Sequence, residues 1–165
     1  MTPFSIMENI VLQMMDFQHF NNIKGARNTN AKCMHDLLKK VPNKSVEVFP
    51  AIVTSYNEES ESGVTVHLVV LCAKDEDKVM LDPSYDVFSL ENKRYYLNIK
   101  EFVDAVDSPE KKQNEFKSLA RDFLILMETA KQINEGTFDQ FNRELYEKQT
   151  EYVNIKCALY DSGFI

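Results

Sequence analysis

Three residues with the side chains of a nucleophile, a base and an acid follow one another in this chain: Cys33, His67 and Asp82. The surrounding patterns place Cys33 near a helix start, His67 inside an otherwise apolar strand and Asp82 at the end of the next strand. A helix start favours a thiolate, and with a cationic His nearby the pKa of a cysteine can fall from ~8.5 to ~3.5–7.5. The same N–H groups can hold the oxyanion formed when the sulfur attacks a carbonyl. The three residues therefore predict nucleophilic catalysis by cysteine.

The register of one hairpin decides whether Asp82 can orient His67. The segments VTVHLVVLCA (64–73) and KVMLD (78–82) read as strands joined by the turn KDED. If Asp82 lies opposite His67, or opposite Val69 and diagonal to His67, its carboxylate reaches the imidazole. A slip of one residue sends the two side chains to opposite faces of the sheet. In the favourable registers the other ring nitrogen of His67 is free to accept the proton of the Cys33 thiol.

Hydrophobic periodicity predicts two helices ahead of the first strand. The segment from Pro3 to His19 carries apolar residues at helical spacing, and Pro3 suits the first helical position. A polar loop over 21–30 follows. The segment AKCMHDLLKKV then predicts a short helix capped by Asn30 or Thr29, which puts Cys33 in its first turn.

Strand patterns occupy the middle of the chain, and helix patterns occupy its C-terminal part. Strands are predicted at 46–56, where Pro50 indicates an edge or a bulge, at 64–73, at 78–82 and at about 95–97. Helices are predicted at about 98–106, from Ser108 to Gly136, and after a capping box formed by Thr137 and Gln140. These separate runs of antiparallel strands and helices predict an α+β fold.

The order of Cys33, His67 and Asp82, together with the segment LDPSYDVF (81–88), resembles the transglutaminase-like cysteine enzymes of the papain-like group. The resemblance covers about residues 25–100. It implies a papain-like core in which the helix carrying the cysteine packs on a small antiparallel sheet, with extra N- and C-terminal helices. It also implies acyl transfer or amide hydrolysis through a thioester on Cys33, of the transglutaminase, deamidase or peptidase type. His67 would shuttle the proton, and Asp82 would position His67.

The same resemblance leaves a second hypothesis open. This chain has no Trp, which the family often places near the nucleophile, and Ala31 stands where a glycine is common. Asn28, Asn30 and Tyr85 are the candidates for oxyanion or substrate contacts, since no clear oxyanion glutamine is present. The alternative is a catalytically inactive transglutaminase-like domain that binds a protein or a small molecule.

The cysteines and histidines also have structural interpretations. Free cysteine is among the most buried residue types, so Cys33 on an apolar helix face could be a core thiol. Cys72 and Cys157 are predicted to be structural. His35 stands two positions from Cys33 and is predicted to point away from it.

Composition and charge limit the function classes. The chain has 165 residues, 44% of them apolar, and a formal net charge of −7. This composition predicts one folded domain over residues 1–165, with additional C-terminal helices at about 98–156. The acidic balance argues against nucleic acid and anionic membranes as partners, and no apolar run is long enough to cross a bilayer. The expected partner is a protein or a small amide or amine substrate.

The cysteine count indicates the compartment. Three widely spaced cysteines make an odd number, and no CxxC or HxxxH pair supports a zinc site. The first residues lack the basic start of an export signal. The sequence therefore predicts free thiols, a cytoplasmic location and no metal or cofactor.

Overall fold

The computed structural model of the protein describes residues 4–42, 45–56, 64–82, 86–89, 94–96, 100–101 and 113–163. Within them the architecture is α+β, as the sequence predicts. The helices are α1 (Ser5–Phe20), α2 (Arg27–Lys39), α3 (Gln113–Glu135), α4 (Arg143–Tyr152) and α5 (Ile155–Asp161). The strands are β1 (Glu47–Tyr56), β2 (Val64–Lys74), β3 (Asp77–Asp82), β4 (Asp86–Ser89) and β5 (Arg94–Tyr96). Most of the helix predicted at 98–106 lies outside the described residues.

The strands form one antiparallel sheet in the order β4-β3-β2-β1-β5. β2 pairs with β1 along the whole of Glu47–Tyr56, whereas β5 pairs only with Ile52–Thr54. The register between β1 and β2 is unbroken, so Pro50 causes no bulge. Pro50 instead lies where β1 has a strand partner on one side only among the described strands. This is the edge position that a residue without an N–H favours.

The sheet separates two apolar clusters, because successive strand residues point to opposite faces. The larger one, the helix-side cluster, joins the helices to the sheet through Ile52, Leu68, Val70, Cys72 and Leu81, and it contains Cys33. The smaller one, the far-side cluster, consists of Ala51, Val53, Val69, Leu71 and Met80, with Phe49 packed against it. Helices α1, α2 and α3 contact the strands.

Helix α2 begins earlier than predicted, and this changes the surroundings of Cys33. The helix starts at Arg27 after Gly25, whose φ of 74° suits glycine, and its N-cap Ala26 makes no side-chain cap bond. Thr29 and Asn30 lie inside the helix and do not cap it. Thr and Asn are disfavoured inside helices because their side chains compete for the hydrogen bonds of the nearby backbone. Here both side chains are hydrogen-bonded to groups from distant parts of the chain, so that competition is absent. The prediction of Cys33 in the first turn is therefore wrong.

The C-terminal helices also differ from the prediction at their starts. Gly136, with a φ of 75°, ends α3 as predicted. The predicted start at Thr137 is wrong, because Thr137 N–H bonds back to the Gln132 carbonyl and Gln140 accepts a hydrogen bond from Thr129. Helix α4 begins instead after Asn142, whose side chain accepts a bond from the backbone N–H of Leu145.

Candidate functional site

Cys33 lies in the interior and is bonded to helix α4. Its exposed fraction is 0%, and its Sγ is 3.2 Å from Thr150 Oγ1. Burial raises the pKa of the Cys33 thiol to about 11, although hydrogen bonds to Thr150 and Gln149 act in the opposite direction. A thiol of this kind stays protonated at neutral pH. The structure thus gives Cys33 the surroundings of a core thiol.

The position of Cys33 along α2 explains why the helix start does not activate it. Cys33 is six residues after Arg27, about 9 Å along the axis at ~1.5 Å per residue. The N–H groups without helical partners belong to the first turn, and the effect of the dipole falls off within that turn. Burial therefore dominates the pKa, in contrast to the expectation from the sequence.

His67 has a different partner and belongs to a different face of the sheet. Leu68 and Val70 lie in the helix-side cluster with Cys33, whereas Val69 lies in the far-side cluster. By the alternation of a strand, the side chain of His67 points to the face opposite Leu68, which is the face of Val69. Its Nδ1 is 2.8 Å from Arg27 Nη1.

The contact with Arg27 also limits what the His67 ring can do. A guanidinium only donates, so Nδ1 must be the acceptor and the neutral ring carries its proton on Nε2. Neither nitrogen is then placed to take a proton from a thiol. No hydrogen bond joins Cys33 to His67 in the described part of the chain. The described residues thus show no contact between the predicted nucleophile and the predicted base, and their joint role stays a prediction.

The hairpin register agrees with one of the two favourable alternatives for Asp82. β2 pairs with β3 so that Val70 lies opposite Leu81. Continued by one residue, this register sets Asp82 opposite Val69 and diagonal to His67, on the same face. The strand position of Asp82 is described, but its side chain is not, and Tyr85 lies outside the described residues. A role for Asp82 in orienting His67 stays a prediction.

Of the two asparagines among the candidates for the oxyanion contact, Asn30 already forms hydrogen bonds within the protein. It is buried, with an exposed fraction of 2%. Its Oδ1 accepts hydrogen bonds from Gln18 and Gln149, and its Nδ2 donates to Gln18 Oε1 at 3.3 Å. Asn28 is half-buried. The amide donors of Asn30 therefore serve a structural network and not a site beside Cys33.

A cluster of charges around Asp36, which sequence reasoning missed, lies beside Cys33 on α2. Asp36 Oδ2 accepts from Lys32 Nζ at 3.1 Å and from the Tyr146 hydroxyl at 2.7 Å, and Asp36 Oδ1 lies 3.3 Å from His35 Nδ1. Burial alone would raise the pKa of Asp36, but hydrogen bonds from His35, Tyr146 and Lys32 lower it to about 2. Burial and the bond to Asp36 raise the pKa of Tyr146. The sequence signal was the i, i+4 spacing of Lys32 and Asp36.

The cation of this charged cluster is held inside the protein. Lys32 is 1% exposed, and its ammonium lies 4.6 Å from the ring centroid of Phe138 and 5.4 Å from that of Tyr146. The carboxylate and the rings thus hold a cation of the protein itself. His35, which the sequence predicts to point away from Cys33, is itself buried, and its Nε2 has no hydrogen-bond partner among the described residues. We regard the cluster as a structural element.

Two cavities among the described residues lie along β1. One cavity of ≈ 430 Å³ lies between Phe49–Ile52 and the last turns of α3. A second, of ≈ 380 Å³, lies between Val46–Phe49 and the end of α2, so the two share Phe49. We call the two together the β1 groove, lined by residues 46–52, by 38, 39 and 41, and by 127, 130, 131, 134 and 135.

The lining of the β1 groove is apolar at its floor and charged at its rim. Ala51 and Ile52 at the floor are buried, whereas four exposed charged residues line the two cavities. Lys39 and Glu47 belong to one cavity, and Lys131 and Glu135 belong to the other. None of the four forms an ion pair within the described residues. An apolar floor with a few polar groups at its rim is typical of binding sites.

None of the described helices has both the length and the apolar character needed to cross a membrane. Within the described ranges, no three His, Cys, Asp or Glu side chains are grouped so that they could hold a metal ion. No protein-family model, no curated protein and no solved structure matches this chain.

Proposed function

We propose that this chain is a non-catalytic domain that binds a protein partner, and that Cys33 stabilises its core. The observation that carries the proposal is the burial of the Cys33 thiol against Thr150. Under this proposal the transglutaminase-like core is a retained fold without the chemistry of the family. The order of Cys33, His67 and Asp82, and the packing of α2 on the antiparallel sheet, support that part of the proposal.

The chemistry of acyl transfer needs an accessible thiolate. With a pKa of about 11, the fraction of Cys33 ionised at pH 7 is on the order of one in ten thousand. An acyl donor would also have to displace the packing around a sulfur with no exposed surface. Activation by His67 is missing as well, because its Nδ1 is bonded to Arg27. These three facts favour binding over catalysis at Cys33.

The accessible surface supports a binding role. The β1 groove offers two adjacent cavities beside one strand, with apolar floors and charges of both signs that form no ion pair within the described residues. Its length along consecutive strand residues suits a segment of a protein better than one compact small molecule. The groove lies on α3, the end of α2 and β1, and it does not include Cys33 or His67.

Thiol reactivity tests the proposal, because an exposed cysteine of the same chain serves as the internal reference. Cys157 is exposed, whereas Cys33 and Cys72 are buried. We expect iodoacetamide at pH 7 to alkylate Cys157 in the native protein and to reach Cys33 and Cys72 only after unfolding in urea. Peptide mass mapping after timed labelling measures the three rates, and a Cys157→Ser variant confirms the assignment.

The opposite result would support acyl transfer. If Cys33 in the native protein reacts as fast as Cys157, and if His67→Ala slows that reaction, then the thiol is accessible and activated. The binding proposal would then be wrong, and the Cys33 thioester would become the function to pursue.

A further inference from the structure

We infer that helix α1 carries a docking surface for a basic amphipathic helix of a partner protein. The surface is the row formed by Glu8, Leu12, Asp16 and Phe20, which we call the α1 ridge. The inference rests on the proposed role in binding a protein. It names the chemistry of a partner and a second surface, since the α1 ridge shares no residue with the β1 groove.

The α1 ridge lies on the side of the helix away from the core. The buried residues of α1 are Ile6, Met7, Ile10, Val11, Met14 and Phe17. Residues four apart lie on the same side of a helix, so the side chains of the ridge form one row. Leu12 is 53% exposed and Phe20 is 78% exposed. Two large apolar side chains in one row, with polar residues around them, are typical of an interaction surface.

Further rings extend the apolar part of the α1 ridge around Phe20. Phe17 precedes Phe20 by one turn, and its ring centroid lies 5.4 Å from that of Tyr152 on α4. Tyr152 is 46% exposed, so part of its ring faces solvent beside the buried Phe17. The ring of His19 lies edge-on to that of Phe20, with 6.1 Å between the centroids. An apolar side chain of a partner that contacts Phe20 thus meets an aromatic surface and not a single ring.

The charges of the α1 ridge are both negative. Glu8 is half-buried, Asp16 is exposed, and α1 contains no Lys or Arg. Neither carboxylate forms an ion pair in the part of the chain that the structure describes. The next cation along the chain, Lys24, follows the C-terminal end of the helix. The ridge is therefore complementary to Lys and Arg side chains, whereas phosphate groups of nucleic acids or lipids are repelled.

The spacing of the α1 ridge favours a helix as the partner. Acidic and apolar residues alternate every four positions, so residues of one kind recur about 12 Å apart at ~1.5 Å per residue. Rows of residues four apart are the rows that packed helices most often place alongside each other. A partner helix in which cations and apolar residues alternate at the same spacing places a cation at each carboxylate and an apolar side chain at Leu12 and at Phe20.

A library of helical peptides tests the inference on the intact chain. An Ala-rich peptide of about 18 residues, long enough to form a helix by itself, is displayed on phage. Its positions at a spacing of four carry Lys, Glu, Leu or Phe at random. We expect selection on the immobilised protein to enrich Lys alternating with Leu or Phe. If no peptide is enriched, or if Glu is enriched in place of Lys, the inference is overturned.

A matched pair of charge reversals locates the surface to which the enriched peptide binds. Asp16→Lys changes the α1 ridge, and Asp122→Lys makes the same change at an exposed position of α3. Fluorescence anisotropy of the labelled peptide should show binding about tenfold weaker for the first variant and nearly unchanged for the second. Equal affinities for the two variants would show that the peptide binds elsewhere, and the inference would be wrong.

A second pair tests the apolar contact. Phe20→Ala removes the exposed ring of the ridge, and Leu124→Ala removes a 56% exposed side chain of α3. We expect about tenfold weaker binding for Phe20→Ala and no change for Leu124→Ala. Circular dichroism of all four variants checks that the fold is retained. Full affinity in a folded Phe20→Ala variant would contradict the role of the ridge.

The thiol test and the peptide test have separate outcomes. A reactive Cys33 would overturn the non-catalytic proposal even if basic helices bind α1. An unreactive Cys33 together with no enriched peptide would overturn only the docking inference for the α1 ridge.

Discussion

Lys32 shows how a buried charge is accommodated in this protein. Its ammonium is almost wholly buried, and it is bonded to the Asp36 carboxylate and surrounded by aromatic rings. A buried charge is tolerated when it is paired and hydrogen-bonded, and removing one partner leaves the other uncompensated. Asp36 is therefore the residue on which the stability of this region depends most directly.

Asp36 predicts a specific acid dependence of stability. Its pKa is about 2 in the folded protein, below the usual 3.8, so it stabilises the fold above about pH 4. That stability is lost as the pH falls from about 4 towards 2. We expect Asp36→Asn to lower the free energy of unfolding at pH 7 by about 2 kcal/mol and to flatten the loss of stability in acid. Urea unfolding followed from pH 2 to pH 7 measures both effects.

A surface carboxylate provides the control. Glu144 is paired with Lys148 on the exposed face of α4, where an ion pair contributes little. Glu144→Gln should leave the acid dependence unchanged. If Asp36→Asn shows the same acid dependence as the parent protein, the proposed role of Asp36 is wrong.

At the scale of elements, helices α2 and α4 differ in how their N-termini are capped. Asn142 caps α4 locally, because its Oδ1 accepts from Leu145 N–H at 3.1 Å. Thr29 looks like a cap in the sequence, but its hydroxyl accepts a bond from the Asn142 backbone N–H at 3.0 Å. The N-cap residue of α4 is thus itself bonded to Thr29, which lies inside α2.

The cap of α4 can be tested on its own. We expect Asn142→Ala to lower the free energy of unfolding by about 1 kcal/mol, because Leu145 N–H loses its acceptor. Asn142→Asp retains an acceptor and should restore most of the loss. Urea denaturation at pH 7 measures the difference, and an unchanged midpoint for Asn142→Ala would show that the cap is unimportant.

At the scale of the whole molecule, three amide side chains join three helices. Gln18 of α1, Asn30 of α2 and Gln149 of α4 form a closed set of hydrogen bonds. Gln149 has no exposed surface. Because water cannot replace a lost bond there, each amide depends on the other two. This set holds the N- and C-terminal parts of the chain together.

Removing one amide should therefore destabilise the whole fold. We expect Gln149→Met, which keeps the volume and removes the polar group, to cost about 1–3 kcal/mol. Gln13 bridges α1 to Asn154 in a more exposed setting, so Gln13→Met should cost less. Thermal unfolding with two probes, one for helix content and one for aromatic environment, measures the change. Equal losses for the two variants would contradict the argument.

The sequence alone determined the features that depend on neighbours along the chain. Although the sequence left the register that keeps Asp82 on the face of His67 as one of several alternatives, strand alternation located β1, β2 and β3, and Gly136 ended α3. These features follow from backbone geometry within a few residues, so local patterns contain them.

Only the tertiary structure decided the site. Thr29 and Asn30 lie within α2 because their partners, Asn142 and Gln149, are 113 and 119 residues away in the chain. That extension of α2 moves Cys33 out of the first turn, and the packing of α4 buries its sulfur. Local patterns carry no information about such distant partners, and burial is a property of the assembled core. The burial of Cys33 was therefore decided by packing and not by its place in the sequence.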